Sequence, residues 1–172
     1  MKKLICLLIV SLVLVVNVNA KNKVKVYIFT QGGEEISSSA VEFFKELKDS
    51  EYGDMFNYKE IEVWTQSWEE DYDNRKLVDK VASYFDDTIY GAPYIVIGNK
   101  YHLSTYTEEY QEELIEAIEK AYNNKKYEDL IEKAKKEIKS ERVKDTIAVI
   151  AIPLVTILVV GGVIILARKN ND

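Results

Sequence analysis

The chain has 172 residues, of which 47% are hydrophobic and 30% are charged, and its formal net charge at pH 7 is −6. This length fits one domain of ordinary size with flanking segments. Without the four basic residues near the two ends and Asp172, 19 basic and 28 acidic side chains remain, a net charge of −9. Because phosphate binding requires basic patches, this composition excludes nucleic acid as an expected partner.

Residues 1–20 have the pattern of a secretory signal peptide. Two lysines precede an apolar run from Leu4 to Val16, and small residues lead up to Ala20. We expect cleavage after Ala20, with retention as an uncleaved anchor as the alternative. Cys6, the only cysteine, lies inside the apolar run. The mature chain would therefore contain no thiol, no disulfide and no cysteine-based metal site.

The next part of the chain predicts strands that alternate with helices. Residues 23–29 read as a strand that enters a core, and apolar residues at helical spacing follow over 36–47. Residues 58–64 return to strand alternation, and a second helical pattern covers 77–85. These two units predict parallel strands joined by helical crossovers.

A hairpin and a third helix complete this pattern. The stretch "GAPYIVIGNKYHL" places the turn pair Gly98-Asn99 between two strand-like runs. A helix is predicted from Thr107 to Tyr122. The order strand, helix, strand, helix, hairpin, helix predicts an α/β domain with a central mixed sheet.

The last part of the chain predicts a membrane attachment. Residues 123–145 carry a narrow apolar stripe among lysines and glutamates, which indicates a charged helical stalk. Residues 146–167 contain no charge and are long enough for a transmembrane helix. The basic residues in 168–172 predict a cytoplasmic tail. The expected location is the plasma membrane of a bacterial cell, crossed once, with the N-terminal domain outside the cytoplasm.

The element order and the segment "GAPYIVIGNKYH" around Pro93 resemble a thioredoxin-like domain of the bacterial, membrane-anchored kind. The resemblance covers residues 23–122, and we assign the domain to 21–122. In that family a Cys-x-x-Cys motif follows the first strand. Here the sequence at that place is Glu-Glu-Ile-Ser, so Glu34 and Ser37 occupy the positions of the two cysteines.

The missing cysteines predict a protein without redox activity. Disulfide exchange requires a thiolate that attacks sulfur, and neither a carboxylate nor a hydroxyl forms the mixed disulfide. We therefore predict no enzyme activity and no cofactor, and we interpret Glu34 and Ser37 as helix-capping residues rather than catalytic ones. His102, the single histidine, is interpreted as structural or surface-exposed, and no metal site is predicted.

The resemblance implies a groove in which the family binds extended peptide beside a cis-proline. Here this groove maps onto loops 30–37, 64–68 and 90–94, with the cis or trans state of the Ala92-Pro93 bond left open. The predicted binding-face residues are Gly33, Glu34, Glu35, Ile36, Trp64, Ala92, Pro93 and Tyr94.

Three functional hypotheses follow. The first is a peptide- or protein-binding module that uses the former active-site face. The second is an architectural subunit of a membrane complex, assembled through the stalk and the transmembrane helix. The third is an accessory to thiol–disulfide exchange carried out by a partner. The sequence leaves the identity of the partner and the oligomeric state open.

Overall fold

The computed structural model describes residues 23–144. Within them, four strands form one sheet in the order β2-β1-β3-β4. β1 and β2 are parallel, whereas β3 is antiparallel to β1 and β4 is antiparallel to β3. The fold class is therefore α/β with a mixed sheet. The strands are β1 (Val24–Gln31), β2 (Phe56–Trp64), β3 (Tyr94–Ile97) and β4 (Tyr101–Leu103).

Four helices cover the two faces of this sheet. The first three are α1 (Glu35–Lys48), α2 (Tyr72–Ala82) and α3 (Gln111–Tyr122). The fourth, α4, is helical from 130 through 144, the last described residue. Short 3-10 turns lie at Glu51–Asp54, Ser83–Phe85 and Glu108–Tyr110.

The side chains of β1 alternate between two cores, as the pleat of a strand requires. Val26 and Ile28 point into a cluster with α1 and α3. Tyr27 and Phe29 point into a cluster with α2 and α4. The sheet is therefore covered by helices on both faces, which explains why β1 reads as a nearly continuous apolar run.

The predicted fold class included a transmembrane helix, and this part of the prediction is contradicted. Among residues 23–144, no helix is both long enough and apolar enough to cross a membrane. The physical reason is that α1 to α3 have only 11 to 14 residues and each keeps a charged face. The part of α4 from 130 to 144 is rich in lysine and glutamate. Residues 1–20, 146–167 and 168–172, assigned to the signal, the span and the tail, lie outside the described residues.

The predicted stalk also differs from the structure, because α4 packs on the domain. Ile131 and Ala134 are fully buried in the same core cluster as α2. Asp129 accepts hydrogen bonds from the backbone N–H groups of Ile131 and Glu132 at 3.1 and 3.2 Å, which caps the helix. The narrow apolar stripe that suggested a stalk is instead the side of α4 that covers the sheet.

Polar contacts fix α4 in the same position. The second carboxylate oxygen of Asp129 accepts a hydrogen bond from the Tyr27 hydroxyl at 3.0 Å and pairs with Lys25 at 2.9 Å. On α2, Lys80 pairs with Glu137 and Glu141, both at 3.0 Å. The packed unit therefore extends beyond residue 122 to at least residue 141.

Replacing Ile131 tests whether α4 belongs to the core. Ile131→Ala should lower the free energy of unfolding by about 2–5 kcal/mol, because a fully buried side chain leaves a cavity. Urea unfolding followed by circular dichroism measures this. The control Ile36→Ala, at a side chain that is 44% exposed, should change the same quantity by less than about 1 kcal/mol. Equal, small effects for both variants would mean that α4 does not contribute to the core.

Candidate functional site

Three loops meet at the end of the sheet where β1 and β2 finish and β3 begins, here called the loop end. The Gly32 N–H donates to the Trp64 carbonyl at 2.8 Å, which joins the loops after β1 and β2. Phe29 is the register partner of Tyr94, so the segment before β3 lies beside the end of β1. The Ala92-Pro93 peptide bond in that segment is cis. The fold thus brings the three predicted loops together.

Glu34 and Ser37 contact each other at the start of α1. The Ser37 hydroxyl donates to the Glu34 carboxylate and accepts from the backbone N–H of Gln31 at 3.3 Å. Ser37 is buried, whereas Glu34 is half-buried. The side-chain cap predicted here is not formed, because the Glu34 carboxylate binds a hydroxyl and not a backbone N–H of the first turn. Glu34 and Ser37, which the sequence aligned with the two cysteine positions, are therefore bonded to each other.

The glycines before α1 allow a close approach between two loops. Gly33 has a φ of +73°, which favours glycine, and a Cβ there would lie 2.9 Å from the side chain of Gln66. A Cβ at Gly32 would lie 2.8 Å from Oε2 of Glu62. The loop after β1 thus packs directly on the end of β2 and the loop after it.

The predicted face residues separate into exposed and buried groups. Gly33, Glu35 and Ile36 are exposed, and Glu34 and Ala92 are half-buried. In contrast, Trp64, Pro93 and Tyr94 are buried beneath the loops, so they support the loop end without offering a side chain to a ligand.

Arg75 covers Trp64 and connects two of the loops. Its guanidinium lies 5.2 Å from the centre of the Trp64 ring and pairs with Glu70 at 3.5 Å. The same group donates to the Ile89 carbonyl at 3.4 Å, just before Tyr90. The indole N–H of Trp64 donates to Glu70 at 3.0 Å. Arg75 therefore fixes the loop after β2 relative to the segment before Pro93.

Three strongly exposed aromatic side chains lie at the loop end, and we call them the rim aromatics. Trp68 is 67% exposed, Tyr72 is 75% exposed and Tyr90 is 92% exposed. None is among the eight predicted residues, although Trp68 and Tyr90 fall within the predicted loops. The sequence signal that could have identified them is their position among polar turn residues, outside every strand or helix periodicity.

The loop that carries Trp68 holds it in an unfavourable conformation. Trp68 has a φ of +64°, a left-handed region that bulky side chains rarely occupy. The loop is closed by hydrogen bonds from Thr65 N–H to the Glu69 carbonyl at 2.9 Å and from Trp68 N–H to the Thr65 carbonyl at 3.0 Å. Such a conformation costs about 1–3 kcal/mol, and an exposed ring gains little burial in return. The loop therefore presents this indole at a cost to stability.

A second polar cluster lies beneath the segment before Pro93. Nε2 of His102 lies 3.2 Å from the Asp87 carboxylate, and the imidazole stacks near the rings of Phe85 and Tyr94 at 4.4 and 5.7 Å. Burial, and then the charge of Asp87, raise the pKa of Tyr94 above its ordinary value. Tyr94 therefore stays neutral at physiological pH. Within residues 23–144, no group of three or more histidine, cysteine or acidic residues is placed to hold a metal ion.

Comparison with known proteins identifies no relative: no family model, no curated protein and no solved structure matches the chain. The thioredoxin-like resemblance thus stays a prediction from the sequence.

Replacing Trp68 separates its effect on stability from any role in binding. Trp68→Asn should raise the free energy of unfolding by about 0.5–1 kcal/mol, because asparagine tolerates the left-handed conformation. Urea unfolding monitored by circular dichroism measures the change. Tyr90→Asn, at an exposed residue that is not among those with positive φ, should leave stability nearly unchanged. A clear destabilisation by Trp68→Asn would show that the indole supports the fold instead.

Proposed function

We propose that this chain is a polypeptide-binding module that uses the loop end of a thioredoxin-like scaffold without redox cysteines. The observation that carries the proposal is the set of rim aromatics, which are exposed on two loops and at the start of α2, all at the loop end. The signal-like residues 1–20 support a location outside the cytoplasm. The described residues contribute the binding surface, and the partner is a peptide or protein segment.

The distribution of exposed apolar side chains supports binding at this end. Among the described residues, five large hydrophobic side chains are exposed, and four of them lie at the loop end. These are Ile36 at the start of α1 and the three rim aromatics. Exposed aromatic groups at one place mark interaction sites, because tyrosine and tryptophan give contact area at a low entropic cost.

The scaffold supports a binding role rather than a chemical one. The parallel β1–β2 pair, the antiparallel hairpin and the cis bond at Pro93 agree with the thioredoxin-like resemblance. At the helix start, however, Glu34 and Ser37 offer a carboxylate and a hydroxyl, which cannot exchange disulfides. The surface beside them is then left for recognition.

Restoring two thiols tests the scaffold assignment. Glu34→Cys/Ser37→Cys, in a Cys6→Ser background, should form an intramolecular disulfide and gain exchange activity with glutathione. We expect this because the two native side chains already touch at the helix N-terminus. Thiol titration and an exchange assay measure both properties.

The pair Glu35→Cys/Ser38→Cys provides a control with the same separation along the helix. It should show no comparable exchange activity. Equal activity in the two double variants, or none in either, would count against the thioredoxin-like assignment.

Peptide display against the full chain tests binding itself. Peptides that are selected should lose at least about tenfold in affinity when Trp68→Asn or Tyr90→Asn is introduced, as expected for central aromatic contacts. Isothermal titration calorimetry gives the dissociation constants. Val143→Ser, at an exposed apolar residue on α4, is the control and should leave affinity unchanged. Selected peptides that bind both rim variants as tightly as the native chain would refute the proposal.

A further inference from the structure

A groove runs along α1 beside the loop end. It encloses about 400 Å³ between α1 and the chain segment 106–111. We call it the α1 groove. Its lining residues are Glu35, Ile36, Ser39, Glu42, Phe43 and Glu46 on α1, and Tyr106, Thr107, Glu108 and Gln111 on the opposite wall.

The apolar part of the α1 groove is aromatic and fixed in place. The rings of Phe43 and Tyr106 lie 5.9 Å apart. The Tyr106 hydroxyl accepts a hydrogen bond from the Gln111 side chain at 3.0 Å, which holds the opposite wall. Ring faces at the base of a groove favour alkyl chains and cations alike.

The charged side chains that line the groove are all negative. Four carboxylates line it, and no lysine or arginine is among its lining residues in the described chain. Glu42 pairs with Lys45 at 3.1 Å. Within residues 23–144, the side chains of Glu35, Glu46 and Glu108 have no ion-pair partner. A cation placed between these carboxylates would therefore meet attraction from both walls.

From this arrangement we infer that the α1 groove binds a lysine- or arginine-bearing stretch of the polypeptide that the loop end recognises. The inference rests on the proposed function and adds the charge of the partner. An acidic segment is disfavoured by the same carboxylates, which gives the groove specificity through repulsion as well as attraction.

The groove and the loop end are continuous, so a single polypeptide can contact both. Glu35 and Ile36 belong both to the predicted binding face and to the groove. From residue 35 to residue 46, α1 advances about 17 Å at 1.5 Å per residue. An extended chain covers that length with about five residues. A partner with an aromatic or aliphatic anchor followed by a short basic stretch would occupy both.

The test uses a synthetic peptide with a leucine-rich anchor followed by alternating lysine and leucine, and a second peptide with glutamate in place of every lysine. Calorimetry with the full chain should show that the lysine peptide binds and the glutamate peptide does not. Affinity for the lysine peptide should fall as salt is added, because exposed charges are screened.

Two triple variants locate the interaction. Glu35→Gln/Glu46→Gln/Glu108→Gln should lower the affinity for the lysine peptide by about tenfold. The control Glu51→Gln/Glu112→Gln/Glu119→Gln removes the same charge from residues outside the groove lining. It should lower the affinity for the lysine peptide by less than about threefold.

The outcomes separate this inference from the proposed function. Equal weakening by the two triple variants, or equal binding of the two peptides, would overturn the groove inference. If Trp68→Asn alone then weakened the peptide, the loop end would still stand as the binding site. Weakening by the groove variant without any effect of Trp68→Asn would support the groove and refute the role of the rim aromatics.

Discussion

Burial of β1 on both faces is the constraint on which the described structure depends. Val26, Ile28 and Phe29 have no measurable exposure, so each face of the strand needs its own cover. α1 and α3 supply one layer, and α2 and α4 supply the other. Because these layers occupy both faces, the proposed binding surface lies where the strands end and the loops begin.

The loop end acquires its shape from contacts that are distant in sequence. Arg75 on α2 reaches Glu70, Ile89 and the ring of Trp64, so one side chain sets the positions of two loops. Gly32 and Gly33 let the third loop approach them. The rim aromatics therefore project from a supported surface rather than from independent loops.

Much of the fold could be predicted from local patterns. The alternation in β1, the helical spacing in α1 and the Gly98-Asn99 turn each depend on neighbours in sequence, and each is found in the structure. The stalk was mispredicted for residues 130–144, because a narrow apolar stripe suits both a free helix and one packed on a sheet. Only long-range partners such as Tyr27, which bonds to Asp129, distinguish the two.

The candidate site was harder to predict from the sequence than the fold was. Trp64 was predicted to lie on the binding face, but Arg75 and Glu70 cover it. No local sequence pattern indicates that contact. Trp68 falls within the predicted loop 64–68, but its positive φ angle and its exposure are set by the conformation of the turn. Loop conformation, rather than residue type, decided which aromatic side chains face the solvent.

The strand order also determines how the sheet meets other copies of the chain. Among residues 23–144, β2 and β4 are the two outer strands of the sheet, and unpaired edges can template strand-to-strand aggregation. β4 has only three residues, and β2 exposes charged side chains, including Glu60 and Glu62. Both edges thus discourage sheet extension. The chain can therefore expose aromatic side chains at the loop end without also exposing a long apolar edge that favours strand pairing.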